Sequence, residues 1–375
     1  MPAGCSAGQA GLMLSRVRSG RFALKRRRPK PSDILTLLMV VAIAAAVLSL
    51  LPASYYMLLP GDARPVARMI HIQGYSPVPS QGGLFMTDVT VYKVNHKLEE
   101  LYGRINPNAD LEPVQAVAGN LSENQYLHVN ALAMTDSIQE AEIAALSVLG
   151  RYKLSCSALR PQIGGVLPHT PAGRLLQPGD IIERVGTRTP CGSPGLFPLI
   201  RRMRPGAVLD LTVLRGNRTR VFHVRTIPGK LTRSGLLPSA RGKIAMMGVA
   251  LQDTLVPGAV HLPVKIHINP GDTVGPSAGL MFTLGIVEQL KRQDITHGCK
   301  IAGTGTVDYL GQVGEIGGAK QKIIAARGAG AEYFLVPNTP GNVAPARAHR
   351  GHVTVIPVNT ARVALAALMR IKPCH

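Results

Sequence analysis

From Ile34 to Gly61 the chain carries no charged residue, and Ile34 to Leu51 is almost purely aliphatic. An apolar run of that length can be buried only in a large core or in a bilayer, whose hydrocarbon thickness takes ~20 helical residues. Eight of the 42 basic residues crowd the 33 positions before it: Arg16, Arg18, Arg21, Lys25, Arg26, Arg27, Arg28 and Lys30. Such a cluster marks the cytoplasmic side of a span. The expected layout is a basic cytoplasmic segment at 1–33, a transmembrane helix at 34–58 with Tyr55 and Tyr56 at the interface, and everything beyond outside the cytoplasm. A cleaved signal peptide is the competing reading. Its apolar core would run only ~7 to 15 residues and close on a small-residue site, whereas here a longer core is followed by Pro52-Ala53-Ser54-Tyr55.

With 375 residues, 46% of them hydrophobic and 17% charged, the chain has material for two globular units beyond that segment. The formal charge of +21 raises the question of nucleic acid. Outside the N-terminal cluster the excess is dispersed, with no basic stripe interleaved with aromatics, so no nucleic-acid partner is expected and membrane lipid is the natural counterpart. No C-x-x-C or H-E-x-x-H occurs, and His349 with His352 has no third ligand nearby, so neither a metal nor another cofactor is expected. Cys5 lies on the cytoplasmic side. Outside the cytoplasm Cys156 could pair with Cys191 and Cys299 with Cys374, and the sequence alone establishes neither bond.

Residues 59–154 read as a scaffold segment. Leu84 to Lys93 alternates as a strand, with Phe85, Thr87, Val89 and Val91 on one side, and Ile138 to Leu149 has helical spacing opened by Glu140 and Glu142. Residues 155–230 contain Ile163-Gly164-Gly165-Val166-Leu167, a Thr170-Pro171-Ala172 helix start, the turn Gln177-Pro178-Gly179-Asp180 into Ile181-Ile182, and the alternating strand Val208 to Leu214. That combination resembles a PDZ domain. The resemblance implies an extended peptide added as a strand along an exposed edge, expected at Ile163, Gly164, Gly165, Val166 and Leu167. Residues 231–375 alternate strands and helices: strands at 264–268, 300–307, 333–336 and 353–358, and helices at 277–290, 319–327 and 361–369. An α+β architecture with chemistry at strand–helix junctions follows.

Gly275-Pro276-Ser277-Ala278-Gly279 puts a hydroxyl between small residues at a helix start, where leading N–H groups and the positive dipole end suit an oxyanion. The spacing also fits Gly-x-Ser-x-Gly, the elbow of hydrolases that use histidine and aspartate. Asp308 with His349 or His352 would supply that esterase alternative. Lys320 follows Gly317-Gly318 in the first turn of another helix, framed by Ile316, Ala319, Ile323 and Ile324 with Lys322 adding a like charge. Those surroundings disfavour a cation and suit a lysine general base.

Gly-Pro-Ser-Ala-Gly-Leu at 275–280, Ala-Gly-Thr-Gly-Thr-Val at 302–307 and Gly-x-Val-Gly-x-Ile-Gly-Gly-x-Lys-x-Lys at 311–322 together resemble the proteolytic domain of Lon-type (S16) Ser-Lys proteases. The resemblance implies Ser277 as nucleophile, Lys320 as base and Thr304 as the residue supporting the lysine. No G-x-x-x-x-G-K-[ST] loop occurs, so the chain is similar to the membrane-anchored, ATP-independent branch of that family, with no ATP as partner. It departs from many motor-bearing members in having Val274, not an acid, before Gly-Pro-Ser, and Asp272 is displaced from that position. The expected protein is an extracytoplasmic serine endopeptidase acting on peptide or protein substrates, with a homo-oligomer compatible with the sequence. A non-catalytic PDZ adaptor on a protease-like scaffold is the alternative from another class.

Overall fold

The computed structural model describes residues 30–374 apart from 120, 233 and 234. Nearly all of the basic N-terminal segment therefore lies outside the described residues. The first element, α1 (Pro31–Leu50), is long and apolar enough to cross a membrane, with a mean hydropathy of 2.5 and no residue buried against the rest of the chain. It stops sooner than expected. Leu51 and Pro52 turn the backbone extended, because proline disfavours helical geometry in the residue before it, and β1 (Pro52–Pro65) follows at once. Tyr55 and Tyr56 therefore lie on a strand. Tyr56 is buried and stacks on Tyr126 at 6.0 Å.

β1 runs antiparallel to β2 (Gly83–His96), and after α2 (Lys97–Ile105) the short β3 (Asp110–Pro113) pairs with the outer side of β1. The long α3 (Glu123–Val148) begins at Ser122, whose hydroxyl accepts the Gln125 N–H while the Gln125 side chain accepts the Ser122 N–H, a reciprocal cap. The cap starts the helix fifteen residues before the 138–149 stretch in which periodicity is legible.

The chain then leaves for a second sheet made of β4 (Leu159–Val166), β5 (Ile181–Val185), β6 (Val208–Arg215), β7 (Arg218–Arg225) and, after a small three-stranded sheet, β8 (Val249–Leu255), with α4 (Gly192–Arg201) laid against it. The strand order is β8-β4-β5-β6-β7. Alternate residues Leu209, Leu211 and Val213 join Ile163, Ile182, Leu196 and Val224 in its core.

On returning, the chain forms α5 (Gly279–Lys291), β9 (Lys300–Gly303), α6 (Ala319–Gly328), β10 (Tyr333–Pro337), α7 (Pro340–His349), β11 (Thr354–Val358) and α8 (Ala361–Leu368). The first sheet has the order β11-β10-β9-β2-β1-β3. Its parallel half (β11, β10, β9 and β2) joins an antiparallel half (β2, β1 and β3) through β2. The strand period of two sends Leu84, Met86, Ile301 and Leu335 to one face, against α3 and α5. Phe85, Ala302, Phe334 and Val336 go to the other, against α6. The architecture is α+β, with helices on both faces of a mixed sheet.

The unit boundaries expected from sequence shift accordingly. Residues 59–154 are not a separate scaffold, because they supply three of the six strands and the helix packed on α5. The second sheet does not end near 230, because β8 completes it from residues 249–255. Cys156 bonds to Cys191 beside the second sheet and Cys299 to Cys374 in the first unit.

Candidate active site

Ser277 occupies a single 3-10 turn, Pro276–Ala278, that runs directly into α5. Gly275 enters this turn at φ 92°, a backbone setting that favours glycine. Two residues of α3 hold the turn: the Asn130 carbonyl accepts the Gly275 N–H at 2.9 Å, and the buried Ser137 hydroxyl donates to the Pro276 carbonyl at 2.9 Å. From the sheet side, the Gly305 N–H donates to the Ser277 carbonyl at 2.8 Å and the Leu280 N–H to the Gly305 carbonyl at 3.0 Å.

The lysine that reaches Ser277 is Lys322, not Lys320. Lys322 Nζ lies 2.7 Å from Ser277 Oγ and donates to Thr304 Oγ1 at 3.0 Å, and the side chain is buried. The helical period decides between the two. Ala319, Lys322, Ile323 and Ala326 form one buried stripe of α6, whereas Lys320 turns about 200° away from Lys322 around the axis. There Lys320 Nζ pairs with Asp110 Oδ1 at 2.7 Å and donates to the Ala109 carbonyl at 3.2 Å, while the Gln321 amide donates to Asp110 Oδ2 at 2.8 Å. Lys320 thus ties α6 to β3, away from the hydroxyl.

The environment of Lys322 favours a neutral amine. Burial lowers its pKa from the usual lysine value to about 7, opposed only in part by the negative charge of Asp88 on β2. Asp88 is itself paired with Arg64 at 3.3 Å. Thr304 is fully buried, and its hydroxyl donates to the Ser277 carbonyl at 3.0 Å. That bond leaves a hydroxyl lone pair to accept from Lys322, so one Lys322 N–H is held toward Thr304 and the nitrogen lone pair is free to face Ser277. Ser277 and Lys322 line an open cleft of about 650 Å³, with Thr87, Asp88, Val89 and Gly318 among its walls.

The residues of the esterase reading do not assemble. Asp308 accepts the N–H groups of Leu310 and Gln312, and His349 lies 3.0 Å from the Pro345 carbonyl at the end of α7. Beyond the cleft, Asp136, Glu140, Asp253 and Asp308 border a second cavity, where burial and then the neighbouring carboxylates raise Glu140 to about 8. Among the described residues no group of three His, Cys, Asp or Glu could hold a metal ion.

The expected peptide edge at Ile163 to Leu167 is not an edge. β4 is flanked on one side by β5 and on the other by β8, with Ile163 opposite Leu251 and Val166 opposite Val249, so its backbone groups are already engaged. The sheet's outer strands are β7 and β8, and β8 is the one next to β4. Between β8 and α4 runs an apolar groove of about 160 Å³ lined by Phe197, Ile200, Met246, Met247, Val249 and Leu251.

Sequence reasoning named Lys322 only as a neighbouring charge and missed Asn130, Ser137 and Asp88 entirely. The i, i+3, i+4, i+7 stripe through Lys322 was the available signal for the first. Nothing local marks the others, which matter only because distant strands and helices meet.

Residues 238–368 match the Lon protease (S16) C-terminal proteolytic domain. Among curated proteins the chain is similar to the Lon protease of Mycoplasma mobile, 30% identical over 149 residues (36% of this chain and 17% of that protein). It is also similar to the Lon protease of Neorickettsia sennetsu, 34% identical over 120 residues (29% of this chain and 14% of that protein). It therefore spans about a sixth of the length of such relatives. Among solved structures, the PDZ domain of an SdrC-like protein from Listeria monocytogenes aligns with 27% of this chain and 93% of its own, at 15% identity and a TM-score of 0.22.

Proposed function

We propose that the chain is a membrane-anchored, ATP-independent serine endopeptidase with Ser277 as nucleophile, Lys322 as general base and Thr304 as the residue that orients the base. One observation carries the reading: a buried lysine, lowered to about 7, stands 2.7 Å from a serine hydroxyl at a helix start. The neutral Lys322 amine takes the Ser277 proton as Oγ attacks the peptide carbonyl. The oxyanion forms beside the leading N–H groups of the 276–291 helical run. As the C–N bond breaks, the Lys322 ammonium returns the proton to the departing amine. Water, deprotonated by the same lysine, then releases the acyl group.

The open edge of β8 beside its apolar groove fits capture of an extended polypeptide by strand addition. Placement of the cleft outside the cytoplasm rests on the basic cluster before α1, and independence from ATP on the lack of a phosphate-binding loop in these residues. The adaptor alternative is disfavoured by the intact Ser277, Lys322 and Thr304 geometry.

Cleavage of a disordered protein substrate by the full chain in detergent tests the assignment. Ser277→Ala and Lys322→Ala should each lower the rate by about a thousandfold or more, and Lys320→Ala should stay within about tenfold of the parent. Equal loss on Lys320→Ala with activity kept by Lys322→Ala would overturn the pairing.

A further inference from the structure

α2 is built inside out for a helix in water. Its charged Glu100 faces the protein at 6% exposure, held by Lys97 at 2.7 Å and Arg104 at 2.6 Å, and Gly103 is buried against Leu111. Its apolar residues face away: Leu98, Leu101, Tyr102 and Ile105 are 39%, 45%, 52% and 70% exposed. These four follow the i, i+3, i+4, i+7 spacing of a single helix face, so they form one continuous stripe. A stripe of this kind on a soluble surface marks a partner.

The position of α2 identifies the partner. The Lys97 N–H, which opens α2, donates to the carbonyl of Leu51, the residue just after α1, at 2.9 Å, and α2 packs beside α1. The same end of the sheet carries exposed Val91 and Tyr92 on β2 and the half-buried Tyr55 on β1, together with Lys93, Lys97 and Arg104. Tyrosines, basic side chains and an amphipathic helix at the mouth of an apolar span are what the polar–apolar boundary of a bilayer accommodates.

We infer that α2 lies in the membrane interface, its Leu98, Leu101, Tyr102 and Ile105 stripe set among the lipid headgroups and upper acyl chains, so that the chain is fixed to the bilayer by a span and a strap. This rests on the proposed anchoring by α1. It also narrows the substrate. Leu58, in the cleft wall, is seven strand residues from Leu51, at most about 24 Å. A strapped sheet keeps that wall of the cleft within this distance of the lipid surface, so the substrates are polypeptide segments next to the membrane.

The chain has no tryptophan, so single introduced tryptophans report their surroundings without background. The full chain, reconstituted into phosphatidylcholine–phosphatidylglycerol vesicles, is compared with lipids brominated either near the headgroup or near the chain ends. Leu101→Trp, with Ile105→Trp as a second site should the first fold poorly, should show blue-shifted emission lost mainly to the shallow bromines. Val41→Trp in α1 should be lost mainly to the deep bromines, and Val221→Trp on β7 should be unaffected by either. Unquenched Leu101→Trp and Ile105→Trp beside a quenched Val41→Trp would overturn the strap and leave the span standing. Blue-shifted emission at 101 that bromine leaves untouched, and that reddens on dilution of the protein in the bilayer, would assign the stripe to a second copy and also overturn it. An unquenched Val41→Trp would remove the span and the strap together.

Discussion

Lys322 is placed where a charge is costly. Burial disfavours its ammonium form and Asp88 only partly compensates, so the proton that must leave before the amine can act as a base comes off near neutrality. The sign follows directly: below about 7 the lysine is protonated and cannot accept the Ser277 proton, and above it the neutral amine can. The rate of peptide cleavage should therefore rise with pH through a midpoint near 7 and then level. Asp88→Asn removes the neighbouring anion that favours the ammonium form and leaves Arg64 with Asp62, at 3.6 Å, as its remaining carboxylate partner, so less negative charge faces the lysine and the midpoint moves lower. A pH–rate profile of the two proteins checks this. An unmoved midpoint would detach Asp88 from the base, and a flat profile through neutrality would detach Lys322 from catalysis.

Elements hold this pair through close approach. α5 passes α3 so tightly that a Cβ on Gly279 would lie 2.8 Å from the Ser137 hydroxyl and 3.1 Å from the Val307 backbone nitrogen. Gly279→Ala should push the two helices apart, disturb the Ser137 bond to the Pro276 carbonyl and cost about 1–3 kcal/mol of stability. A lowered thermal midpoint with reduced turnover is the expected result, measured by circular dichroism and peptide cleavage. The same scale explains what periodicity reveals and what it hides. The apolar run of α1, the alternation of β2 and the helical spacing within α5, α6 and α8 are local patterns, and each element is found near its expected place. α7 escapes notice because it contains Pro340, Gly341 and Pro345, residues that weaken a helical pattern; it begins after Thr339 with Pro340 at a first-turn position that tolerates proline. β1 escapes because its first residues continue the uncharged run of α1.

Across the whole molecule, the second sheet is an insertion in the loop between α3 and α5, and the first sheet closes only when both ends of the chain contribute strands. The Cys299–Cys374 bond ties the start of β9 to the residues after α8 across 75 positions. A loop of that length is worth about 4 kcal/mol in restricted unfolded-chain entropy. Cys299→Ser with Cys374→Ser should lower the thermal midpoint accordingly, and unchanged unfolding would show that the bond constrains little.

The amino-acid sequence by itself determined the apolar run of α1, the helix-start position of Ser277 and the neighbourhood of the lysine, because run length, Gly-Pro-Ser-Ala-Gly and the helical pattern are encoded within a few turns of chain. Tertiary structure alone decided which lysine meets the hydroxyl, which strands of the second sheet lie at its edges, and that residues 59–154 belong to the body that carries the cleft. Those depend on contacts between residues far apart in the chain. Lys320 and Lys322 differ by two positions in sequence but by more than half a helical turn in direction, and only the packing of α6 against β1 and β2 says which direction is inward.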